Sequence, residues 1–131
     1  MYYVVRNSIG NFNFANPQEE LVNNWIGIFD DNDELIKVVS ILNNDILFTD
    51  DDDPETIALA LEEYLDTILF TSEEEEIKDM IKFLRENSEK LLKGKLKKRI
   101  EEIEREIEEL IKKKKDLINL YNRIENKKLK N

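Results

Sequence analysis

Four consecutive aspartates, Asp50 to Asp53 in the stretch "FTDDDDPETIALAL", are the residues of this chain whose type and spacing come closest to chemistry. They could grip a metal ion, present negative charge to a partner, or start the helix that the following residues imply. Few other groups could share catalytic work. The chain has no histidine, so it lacks the usual acid/base group near neutral pH and the commonest transition-metal ligand. It has no cysteine either, which excludes disulfides, thiolate nucleophiles and sulfur-ligated zinc or iron–sulfur sites.

As metal chemistry, "ILFTDDDD" resembles the strand-end carboxylates of the haloacid dehalogenase-like phosphotransferases. The resemblance would make Asp50 the nucleophile and Asp52 the second carboxylate holding magnesium. It covers one short motif. The family's pattern carries Thr or Val where this chain has Pro54, and it expects a downstream lysine and an acidic pair in a larger parallel α/β domain. In "FDDNDEL", Asp30, Asn32 and Glu34 alternate as calcium ligands do, but an EF-hand loop also needs a glycine at its sixth position and a glutamate at its twelfth, and neither occurs. The three glycines are too scattered for a phosphate-cradling loop. The expectation is a protein that is not an enzyme, with no catalytic residues, metal or cofactor.

Charge is distributed unevenly. Residues 1–93 hold seven Lys/Arg against 22 Asp/Glu, a net of −15; residues 94–131 hold 13 against eight, a net of +5; the whole chain is −10. Between Lys37 and Lys78 no basic residue occurs. That interval supplies a candidate partner-binding set: Asp50, Asp51, Asp52, Asp53, Glu55, Glu62, Glu63, Asp66, Glu73, Glu74, Glu75 and Glu76. Such a surface repels nucleic acid and attracts a basic protein groove. The basic runs "KGKLKKR" and "KKKK" are separated by "EEIEREIEE", which interrupts any continuous positive face; alternating blocks of this kind form i,i+4 pairs along a helix.

The elements that must position these groups follow from periodicity. At 131 residues the chain has material for one core plus arms, with a first domain expected over 1–72 and a helical hairpin or coiled-coil arm over 73–131. "YYVV" reads as a strand, and "NSIGNFNFANP" as a loop with room for a second short strand. Residues 17–42 admit a helix starting near Pro17. The β-rich arms of "WIGIF-DDND-ELIKVV" around a polar turn favour a hairpin, and "DILF" adds a further short strand.

Asp53 reads as an N-cap, with Pro54 at the first helical position and Ile57, Leu61, Tyr64, Leu65 and Ile68 on one face to about Phe70. Ser72 with Glu75 forms a capping box for a helix to Lys93, and Gly94 falls where a helix commonly ends or where one continuous helix is weak. Beyond it, Leu96, Ile100, Ile103, Ile107, Leu110, Lys114, Leu117, Tyr121 and Ile124 step alternately by four and three, a seam broken only by Lys114. Ile111 and Ile118 widen the stripe, which favours an antiparallel hairpin with the helix from Ser72 to Lys93 over a simple parallel dimer. The expected class is α+β and helix-dominated, with an N-terminal β-hairpin or meander.

Two functions compete. The first is a non-enzymatic inhibitor that mimics nucleic acid by presenting carboxylates to a basic, nucleic-acid-binding partner protein. In composition the chain is similar to the small acidic proteins that bacterial viruses use against restriction or CRISPR systems, although no motif carries that likeness. The second is an assembly or adaptor protein whose C-terminal helices pair with themselves, as a homodimer, or with another chain. No apolar run spans a bilayer and "MYYVVRNS" is not a signal sequence, so the expected setting is soluble and cytoplasmic, with no membrane partner.

Overall fold

The computed structural model describes residues 1–11, 20–45, 47–67 and 73–129. The element order is β1 (Tyr2–Gly10), β2 (Leu21–Phe29), β3 (Leu35–Asn43), α1 (Pro54–Thr67), α2 (Glu74–Glu86) and α3 (Ser88–Leu129). The three strands form an antiparallel sheet with β2 in the centre. The chain divides into two units, Met1–Leu96 and Lys97–Asn131. Among the described residues, no helix is long and apolar enough to cross a membrane.

The hairpin expected over 17–42 is β2 and β3. Its turn is built on Asp30, whose Oδ1 accepts the backbone N–H groups of Asn32 at 2.8 Å and Glu34 at 3.0 Å. Asp33 supplies the left-handed step that closes the turn, at φ 63°. The carboxylate that suggested calcium is thus spent on backbone amides. β1 runs further than "YYVV", through Gly10, because its alternation continues in register with β2: Tyr3 pairs with Ile28, Val5 with Ile26 and Asn7 with Asn24.

One face of the sheet is core. Tyr3, Val5, Ile26, Ile28, Val39 and Ile41 bury against Ile57 and Leu61 of α1, Ile77, Met80 and Leu84 of α2, and Leu91 of α3. Fully burying aliphatic side chains of this size stabilises by about 1.5–3 kcal/mol each. The other face is open and aromatic. Tyr2 stacks on its cross-strand neighbour Phe29 at 5.3 Å, Trp25 tilts against Phe29 at 6.3 Å, and Leu35, Val38 and Leu42 are exposed beside them. Gly27 makes room for the indole: a Cβ there would lie 2.4 Å from Trp25 Cη2.

Past the hairpin the structure departs from expectation in one strand and one helix. Of the expected "DILF" strand, residues 45–48, Ile46 lies outside the described residues and Asp45, Leu47 and Phe48 belong to no strand. The helix expected from Ser72 to Lys93 breaks at Asn87, whose N–H and Nδ2 both reach the Phe83 carbonyl at 3.0 Å while its own carbonyl accepts Leu91 N–H at 2.8 Å. One asparagine therefore ends α2 and begins α3. Ser72 lies outside the described residues, and Glu73, at the N-cap of α2, makes no side-chain capping bond.

Gly94 does not end a helix. α3 passes through it, and a Cβ at 94 would lie 1.8 Å from the Met1 carbonyl oxygen, so glycine is what lets the helix approach the start of β1. The apolar side chains of the seam from Leu96 to Ile124 are 39–66% exposed.

At an exposed helical position Gly→Ala stabilises by about 1 kcal/mol. Gly94→Ala is expected to invert that sign and destabilise by about 1–3 kcal/mol, as overpacking does. Urea denaturation of the two proteins measures it.

Candidate functional site

The aspartate run lies along the outer edge of β1. Asp50 Oδ1 accepts the Val5 backbone N–H at 3.0 Å and pairs with Lys95 Nζ at 2.7 Å; Lys95 also donates to the Asp50 carbonyl. Lys95 sits 4.1 Å from the centroid of the Tyr3 ring, a cation–π contact. The Tyr3 hydroxyl donates to the Asp52 carbonyl at 2.8 Å, and Asn7 Nδ2 donates to the Phe48 carbonyl at 3.1 Å. Burial, followed by the carboxylates of Asp50, Asp53 and Asp52, pushes the Tyr3 phenol up to about 12.

Asp52 and Asp53 hold the chain's own backbone. Asp52 Oδ2 accepts Thr49 N–H at 2.7 Å, which closes the turn ahead of α1. Asp53 Oδ1 accepts Thr56 N–H at 2.7 Å and is the expected N-cap; that bond, with a further one to the Thr56 side chain, holds its carboxyl below the usual range. Asp50 and Asp52, the pair that the phosphotransferase resemblance would use, face an ammonium and a backbone amide. Among the described residues, no three acidic side chains are grouped to hold a metal ion.

The remaining acidic candidates are dispersed. Glu62 pairs with Arg85 of α2, whose hydrogen bond lowers the carboxyl's pKa, and Glu55 lies 4.0 Å from the same guanidinium. Glu74 and Glu75 flank Lys78 at 3.1 and 3.8 Å. Glu73 and Glu76 lie beside β3 with Trp25, Val38 and Ser40, around a groove of about 330 Å³. A neighbouring groove of about 310 Å³ adds Glu75 and Asp79, and there Asp79 pairs with Lys37. β1 and β3 are the two edges of the sheet, so the structure sets Asp50–Asp53 and Glu73–Glu76 at opposite edges and does not gather the twelve residues into one flank. Among the described residues, Asp51, Glu63, Asp66 and Glu76 have no ion-pair partner.

The second candidate surface lies on α3. Ile100, Ile103, Ile107, Leu110, Leu117, Tyr121 and Ile124 are exposed on one helix, and Ile111, Ile118 and Leu120 lie beside them. Leu110, Leu117, Ile118 and Tyr121, with Lys113 and Lys114, line an apolar depression of about 590 Å³. Leu96, the first residue of the seam, is equally exposed. Sequence reasoning missed Lys95, which it read as one charge in a solubilising run. Its only signal was adjacency to Gly94, the residue that admits close backbone approach.

The Tyr3 phenol has a measurable consequence. A tyrosine ionises near pH 10 in the denatured chain and near 12 in the fold, so its contribution is complete below pH 10 and is lost as pH rises through about 12. Urea titrations across that window should show the loss, and Tyr3→Phe should reduce it by about 2–3 kcal/mol. An unchanged alkaline slope would contradict the burial of this hydroxyl.

Comparison with protein-family models, with curated proteins and with solved structures finds no match to this chain.

Proposed function

We propose that this is a non-enzymatic assembly or adaptor protein whose working surface is the apolar stripe of α3, laid against a helix of another chain. One observation carries the reading: a helical stripe at heptad spacing, from Ile100 to Ile124, is open to water along its length. Exposed apolar surface on this scale is unfavourable in isolation and marks a contact site. A helix of about 33 residues, 97–129, spans roughly 50 Å, long enough for several seam layers. The carboxylates around Asp50 support the same reading from the other side, because hydrogen bonds and Lys95 occupy them in holding the fold.

Replacing Ile107 and Leu117 by Glu places charges in the seam within the unit Lys97–Asn131. The variant is expected to keep its sheet, to lose any higher-mass species in sedimentation, and to lose partners that the wild-type protein retains from host extract. Identical behaviour of the two proteins in both assays would overturn the reading.

A second reading, an acidic protein that engages the basic groove of a nucleic-acid-binding partner in place of nucleic acid, is favoured by the carboxylates of Glu73, Glu75, Glu76 and Asp79 around the apolar grooves beside β3. Asp50 and Asp53 cannot test it, since neutralising them perturbs β1 and α1. Replacing Glu73, Glu75 and Glu76 by Gln should weaken binding to a basic protein at least tenfold and flatten its salt dependence. Retention of both would remove this reading.

A further inference from the structure

We infer that the α3 stripe is covered by α3 of a second copy of this chain, antiparallel, about a two-fold axis between Glu108 and Glu109. This rests on the assembly reading and names its partner. The steps of four and three place Ile100, Ile107, Lys114 and Tyr121 at one seam position (a) and Ile103, Leu110, Leu117 and Ile124 at the other (d). The residues flanking that seam on one side are Arg99, Glu106, Lys113 and Leu120; on the other they are Lys97, Glu104, Ile111 and Ile118.

Charge selects the register. In a parallel, in-register pair each Lys114 meets its own copy inside the seam, two like charges in a desolvated layer. In the antiparallel register that sets Ile107 against Leu117, Lys113 meets Lys113 and Arg99 meets Lys127. One heptad away, about the axis between 108 and 109, no like charges oppose each other in the closest flanking pairs. Ile107 packs on Leu110 of the second copy and Ile100 on its Leu117. Glu106 faces Lys113 of the second copy, and symmetry makes that pair twice. Lys114 lies against Ile103 of the second copy, its aliphatic stem in the layer and its ammonium outside. Ile118 and Leu120 are covered by the stems of Lys97 and Arg99 in the same way. Every group invoked is exposed on the single helix, and the ion-pair partners Arg99 finds on that helix, Glu102 at 3.1 Å and Glu106 at 3.8 Å, leave Lys113 available.

The chain has no cysteine, so single introduced thiols report the register directly. Full-length protein should sediment as a dimer. Under mild oxidation, Ile100→Cys alone should give little covalent dimer, whereas a mixture of Ile100→Cys and Leu117→Cys should give the mixed dimer. Lys113→Glu should raise the dimer dissociation constant about tenfold, and Glu106→Lys in the same chain should restore it. A monomer at all concentrations, a trimer, efficient Ile100→Cys self-linkage, or an unchanged dissociation constant in Lys113→Glu would each overturn the inference. A monomeric wild type that still captures a host protein, and loses it in the Ile107/Leu117 variant, would overturn self-pairing while leaving the assembly reading intact.

Discussion

The contact between the start of α3 and the start of β1 is the constraint on which most of the first unit depends. Gly94 lets the helix backbone close on Met1, and Lys95, one residue on, reaches both the Tyr3 ring and Asp50. Asp50 in turn caps the Val5 amide, and the Tyr3 hydroxyl holds the Asp52 carbonyl just ahead of the Asp53 cap. A helix, a strand and the entry to a second helix are therefore tied through three side chains. None of these bonds is strong alone, since a hydrogen bond nets about 1 kcal/mol and a part-exposed ion pair less. Their effect lies in being shared: each partner restricts the others before it forms its own bond.

This arrangement treats the two edges of the sheet differently. β1, which would otherwise present unpaired amides, is sealed by residues 48–52, with Asp50 acting as a detached piece of strand toward Val5. β3 is flanked instead by grooves in which carboxylates of α2 face apolar side chains of the strand. Lys37, on the buried face of β3, is held by Asp79 and lies 5.2 Å from the centroid of the Phe83 ring, an inward-facing charge of the kind that discourages strand addition.

Much of the fold was legible because its signals are local. The β2–β3 hairpin shows in two β-branched arms around "DDND", α1 in Asp53-Pro54-Glu55, and the length of α3 in its heptads. The break at Asn87 was not, although Asn87-Ser88 is a pair that favours caps; apolar residues continue in phase on both sides of it, and periodicity outweighed the cap. Gly94 was ambiguous because a glycine that ends a helix and one that admits a neighbouring backbone look alike until the neighbour is known. The acidic set was readable as composition only. Whether carboxylates 20 residues apart share a face depends on which edge each element occupies, and no local pattern encodes that. Lys95 was invisible for the same reason.

The open aromatic face carries one further consequence. Trp25 is the chain's sole tryptophan, seated over Gly27 in the sheet, and in residues 97–131 Tyr121 is the lone aromatic. Selectively excited indole fluorescence therefore belongs to the first unit alone, while ellipticity is dominated by helix. The two signals can be followed independently as the protein is heated or diluted, so the chain carries an intrinsic optical reporter that distinguishes loss of the sheet from loss of the long helix.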